Sequence, residues 1–247
     1  MPRVIKHPEL RRSQILDCAQ ALFLERGYDN ASLNEMIAAT GLSKGAFYHY
    51  FESKEALLEA LAERFAQQAL AQIQRMDTSN LDALSRLNAF LARGRQNKME
   101  NAEIAWSLFE ALFKPENFVL FHRITAATSA LVGPVLADLI KRGVDDGTFK
   151  TFDPDGVADM MMQLSAATHG MVARALAASS SRQLEDTIDA LERRIRLYEI
   201  ALDRILGLAD GSVCMAEPGY MRALFMARTQ SSKRKATKQR QANRRTY

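Results

Sequence analysis

Very few residues in this 247-residue chain are of the kinds that assemble covalent frameworks or metal sites. The two cysteines, Cys18 and Cys214, stand in unrelated contexts, so neither a disulfide framework nor a zinc spacing is indicated, and a reducing compartment fits. Four histidines, His7, His49, His122 and His169, share no ligand spacing. Nucleophile elbows and glycine-rich phosphate loops are missing too, so the sequence argues against an enzyme and for no metal or cofactor. No apolar run approaches the roughly 20 residues that a bilayer-spanning helix needs, and the opening MPRVIKHPELRRS has no apolar signal core. The expectation is a cytoplasmic protein without a membrane partner.

Acidic residues also run out. None follows Glu217, whereas nine of the 33 lysines and arginines do. The other 24 stand against 29 acidic residues, so the net charge of +4 comes from one end and the body is acidic. A globally basic nucleic-acid surface is thereby excluded. The polar, basic stretch RTQSSKRKATKQRQANRRTY from Arg228 onward is expected to be disordered, within a tail drawn as 211–247. Its sharper role would be non-specific neutralisation of DNA phosphates.

What the chain does have is helical punctuation. Alternation with period two is nowhere convincing, and helix starts and stops recur from end to end, so the fold class is all-α. Ile15, Leu16, Ala19, Leu22 and Phe23 form one stripe, closed by Gly27. SLNE at 32–35 is a capping box for a second helix with Leu33, Met36 and Ile37 on its buried face, ended by Thr40-Gly41. Ser43 caps a third short helix, and Ser53 caps a fourth that runs to about Arg75. Two short helices joined by a glycine turn are a helix-turn-helix unit, here about 32–51.

Within that unit, SKGAFYHYF at 43–51 separates into two sets. Phe47 and Phe51 lie one turn apart and anchor the segment, whereas Gly45, Ala46, Tyr48 and His49 turn outward. Small residues at the tip let a helix enter a major groove closely. Lys44 and Lys54 flank it as phosphate contacts, the Tyr48 hydroxyl suits a phosphate, and His49 suits a base edge or a phosphate. Tyr50 divides evenly between packing and phosphate contact. One short helix reads few bases, so two copies on a two-fold palindrome are expected.

The sequence ILDCAQALFLERGYDNASLNEMIAATGLSKGAFYHYFESKEALLEAL, within about residues 11 to 61, resembles the DNA-binding domain of the TetR family of bacterial transcriptional regulators. The likeness joins the ALFLERGYDNAS entry, the GLSKGAFYHYF recognition segment and SKEALL at the family's spacing. It implies a three-helix DNA-binding domain (1–55), a connecting helix, and a larger helical domain (56–210) that binds an effector and dimerises. The DNA-contact set it implies is Ser32, Ser43, Lys44, Gly45, Ala46, Tyr48, His49, Tyr50 and Lys54. Ala46 stands where the family often has threonine or serine, which removes a hydroxyl contact.

Beyond Ser79 the bulky residues Trp106, Phe109, Phe113, Phe121 and Met162, with Gln163 and His169 as polar neighbours, read either as ordinary core or as the wall of an apolar pocket. The resemblance implies the pocket and a small, largely apolar effector. Leu184, Ile188, Leu191, Ile195, Tyr198 and Leu202 form a regular stripe that needs a partner helix, inside the chain or across subunits. The resemblance implies the intersubunit choice and hence a homodimer. It also implies a bacterial repressor, nucleoid-associated when on its operator. The alternatives are an architectural DNA binder without ligand and, more remotely, an enzyme with a site assembled in the C-terminal helical domain.

Overall fold

The computed structural model describes residues 8–228. His7 and the basic run beyond Arg228 lie outside the described residues, so the disorder and DNA role expected of that run do too. The described residues form helices α1 (Pro8–Arg26), α2 (Leu33–Thr40), α3 (Lys44–Tyr48), α4 (Lys54–Gln74), α5 (Ala83–Glu100), α6 (Ala102–Leu112), α7 (Phe118–Asp145), α8 (Pro154–Ala167), α9 (His169–Leu176) and α10 (Ser181–Ile205), followed by helical residues 220–228, with no strand among them.

The local causes are mostly caps. The Ser32 hydroxyl accepts the Glu35 N–H, and the Glu35 carboxylate accepts the Ser32 N–H, satisfying two free donors at the start of α2. Those hydrogen bonds hold the Glu35 carboxyl below its ordinary pKa. The turn into α3 needs a left-handed residue, and Gly41 supplies it at φ 65°. Asp153 caps α8 with Pro154 at the first helical position, and Gly207 ends α10 at φ 70°. Ser180 caps α10, but the Gln183 side chain accepts from Ser179 rather than from Ser180, so this end carries a single cap and not a box.

Three buried clusters organise the body. The first joins α1, α2, Phe47, Phe51 and the start of α4 with Leu108, Ala111 and Leu112 of α6 and Leu120 and Ile124 of α7. A domain boundary at residue 55 therefore divides one continuous core, because Leu57, Leu58 and Leu61 pack on the head. The second cluster holds the end of α4, α5, α7, α8 and the end of α10. The third brings Trp106 of α6 and Val172 of α9 against Ile188 and Leu191 of α10 and against Met221, Leu224 and Phe225.

That third cluster corrects the tail assigned from residue 211. The chain is folded to residue 228, and four polar side chains hold the loop that precedes its last helix. Asp203, fully buried, accepts the N–H groups of Gly211 at 2.6 Å and Val213 at 2.8 Å. Glu199 accepts those of Met215 and Ala216. Asn88 bonds Ser212 O and Cys214 N, and Arg95 donates to Cys214 O and Met215 O.

One further correction concerns hydropathy. Helix α7 is long and apolar enough, by length and composition, to cross a membrane. In this fold it packs against α4, α5 and α8, with Leu136, Ala137 and Ile140 buried.

Candidate nucleic-acid interface and interior cavity

The head presents the expected surface. Phe47 is fully buried and Phe51 nearly so, while Lys44, Gly45, Ala46, Tyr48 and His49 are exposed. Tyr50 is half-buried against the head core, with its ring edge-on to His49 at 5.4 Å, so packing claims much of it. Gly45 is informative for what surrounds it: a Cβ there would meet nothing within 4 Å, and its backbone is ordinary. Nothing inside the protein requires glycine at that position. Gly45→Ala is thus expected to raise thermal stability, by up to about 1 kcal/mol, and to weaken operator binding. Melting curves alongside a DNA titration test the pair of effects, and tighter binding would contradict the close approach.

Two expected contacts are engaged within the chain. The Ser32 hydroxyl is committed to the capping box. Lys54 donates to the carbonyl of Asp29 at 3.2 Å and lies 4.3 Å from the centre of the Tyr28 ring, and desolvation holds its pKa below the ordinary lysine value. Lys54 is therefore first a clasp on the loop between α1 and α2. Ser43 accepts the Ala46 N–H as the cap of α3. By contrast, no hydrogen bond or ion pair engages Lys44 among the described residues. Lys44→Ala is expected to lower the salt slope of DNA binding by about 1 per head; an unchanged slope would remove its phosphate role.

Behind the head lies a cavity of about 200 Å³. Trp106 and Phe109 of α6 and Phe113, which caps its end, line it together with Val172, Leu191 and Ile195. Residues 215–225 close it: Met215, Tyr220, Met221, Leu224 and Phe225 all border it, and the Trp106 indole donates to Leu224 O at 2.9 Å. His169 and Phe121 sit one layer back, their rings 4.7 and 5.8 Å from Phe113. Met162 packs in the second cluster and Gln163 is exposed, so neither lines the cavity. Ser165 of α8 and Thr168 just beyond it do border the cavity.

The stripe on α10 is also corrected. Ile188, Leu191 and Leu202 are already buried within the chain, Leu184 and Ile195 pack against the third cluster, and Tyr198 borders the cavity. The partner the stripe needs is supplied by α6, α9 and residues 221–225. Met221, Leu224 and Phe225 recur at helical spacing, a signal hidden by the basic residues around them. Arg95, Lys98 and Tyr220, three of the polar residues that border the cavity, also went unrecognised in the sequence.

A short glycine-containing helix held by two buried phenylalanines, preceded by a capped helix and mounted on a helical body, defines a helix-turn-helix DNA-binding protein. Residues 15–61 match the family model described as bacterial regulatory proteins, tetR family. Over 199 residues the chain is 28% identical to the HTH-type transcriptional repressor Rv1474c of Mycobacterium tuberculosis, covering 79% of this chain and 99% of that protein. The matched segment is the helix-turn-helix head, and the chain is similar to TetR-family transcriptional regulators. Two solved structures share its fold. FadR of Thermus thermophilus, a TetR-family repressor in complex with lauroyl-CoA, gives a TM-score of 0.55 at 20% identity over 75% of this chain and 92% of that one. RolR in complex with resorcinol gives 0.56 at 18% identity over 87% and 93%.

Proposed function

We propose that this regulator is a homodimeric repressor that leaves a palindromic operator when a small, largely apolar effector fills the cavity behind the head. The observation that carries this reading is the two-sided character of α6. Leu108, Ala111 and Leu112 belong to the core of the head, while Trp106 and Phe109 of the same helix, and Phe113 at its C-cap, border the cavity. The Ser107 hydroxyl also donates to Phe23 O of α1. A ligand that shifts α6 therefore pushes on the helices that carry α3. An architectural DNA binder has no use for an internal cavity beside its only tryptophan.

The route continues one residue past Phe113. Lys114 pairs with the Asp29 carboxylate, and the Asp29 carbonyl is held by Lys54, the first residue of α4. Ligands act on such a device only through differential affinity for its two states. Lys114→Ala is expected to leave operator affinity nearly unchanged and to reduce the factor by which effector weakens it, by about 3- to 10-fold. Equal coupling in the variant would move the lever elsewhere.

Pairing of two copies would use the outer face of α10, a reading supported by the inner stripe being covered within the chain. Leu197 and Ile205 are its exposed apolar residues, at 57% and 39%, and Ala190, Arg194 and Ala201 share that face at spacings of three and four. Leu197→Arg with Ile205→Arg is expected to give folded monomers that bind single half-sites weakly. A double variant that stays dimeric in sedimentation would place the interface on another surface.

A further inference from the structure

Composition gives the basic run beyond Arg228 its charge, and the fold gives that run a place. The last described helical residues, 220–228, end at the junction of head and body. Arg228 donates to the Glu110 carboxylate at 2.9 Å, and its guanidinium stands 6.0 Å from the centre of the Trp106 ring. Both contacts tie the root of the run to α6. Arg228 also lines a groove together with Arg26, Gly27, Tyr28, Asp29 and Asn30, at the end of α1 and in the loop that follows it.

Asp29 links that groove to the edge of the head where phosphates are expected. Its carboxylate pairs with Lys114, its carbonyl accepts from Lys54 Nζ at 3.2 Å, and Ser32 caps α2 three residues further on. Lys54 and Ser32 both belong to the expected DNA-contact set, so the run starts beside that edge. The groove itself offers the run no counter-charge. Its two carboxylates, Asp29 and Glu110, are already paired with Lys114 and Arg228, and Arg26 and Arg174 add further positive charge to the lining.

Residues 229–247 carry seven lysines and arginines and no acidic residue. Nineteen residues can span up to roughly 65 Å, whereas α2 is only about 12 Å long and a helix about 10–12 Å across. Reach does not limit the contact. We propose that residues 229–247 are a second DNA-contact element, started at the head–body groove by Arg228, that neutralises duplex phosphates beside the half-site met by α3. This rests on the DNA-binding reading of the head but needs neither effector nor dimer. It gives a protein with an acidic body a sequence-independent hold on DNA.

The test uses the full chain with the seven lysines and arginines between 233 and 245 replaced by glutamine. Binding to a random-sequence duplex and to a selected operator is titrated between about 50 and 200 mM salt, with Lys44→Ala in the same series as reference. Each neutralised phosphate contributes about 0.9 to the salt slope. The expected result is a slope lower by about 2 or more per chain on both duplexes, affinity for the random duplex lower by at least about tenfold at 0.1 M salt, and an unchanged melting temperature. A photoreactive p-benzoylphenylalanine in place of Ala236 should mark the duplex at fixed positions next to each half-site. An unchanged slope in the glutamine variant, while Lys44→Ala lowers it, would overturn the proposal and leave the head reading in place. A slope lowered by neither variant would overturn both. Crosslinks spread evenly along the duplex, or confined to the protein's own acidic body, would overturn the placement beside the half-site.

Discussion

Phe47→Ala is expected to cost about 3–5 kcal/mol, enough to leave the DNA-binding head largely unfolded near physiological temperature. The ring is fully buried and sits in one cluster with α1, α2, α4 and α6, so its loss leaves a cavity in the core of the head. Next to it, Tyr48 is 40% exposed, with its ring edge-on to Phe47. Tyr48→Ala should change stability by less than about 1 kcal/mol while weakening operator binding. Denaturant midpoints of the two variants test this interleaving, because the positions are adjacent and both aromatic. A similar midpoint loss for Tyr48→Ala would mean that its ring belongs to the core.

Asp203→Ala should be nearly as damaging. The carboxylate is fully buried and accepts two backbone N–H groups, and each donor left unpaired costs about 1–3 kcal/mol. The total is about 2–6 kcal/mol, and the loss is functional as well as thermodynamic. The loop it fixes leads into residues 220–228, which close the cavity. Protease should cut the variant near residue 211 while the head still folds. Asp203→Asn keeps one acceptor and should recover part of the loss; a variant as stable as wild type would remove the loop from the account.

The head was legible in the sequence because its signals are local. Ser32 with Glu35, Gly41, Ser43 and Ser53 each cap or end a helix within four residues of themselves, and the Phe47–Phe51 spacing declares its own buried face. The body was less legible because its decisive pairings are distant in sequence. Asn88 and Arg95 bond residues about 120 positions away, and no local pattern carries that. The α10 stripe announced that it needed a partner but not which one, and Met221, Leu224 and Phe225 took the place assigned to a second subunit. Trp106, Phe109 and Phe113, bulky apolar residues close together in sequence, border the cavity. The Tyr220 hydroxyl was invisible because a buried polar atom without a partner is defined only by what surrounds it.

The link between cavity and head is tested most directly by two signals in one titration. An operator recovered by selection from random duplexes is footprinted while a cavity probe, phenylacetate or octanoate, is added, and Trp106 fluorescence is followed in the same samples. The expected result is a single midpoint for both signals, with operator DNA weakening probe binding by the same factor as the probe weakens DNA binding, as linkage requires. Saturation of Trp106 with an unchanged footprint would contradict it.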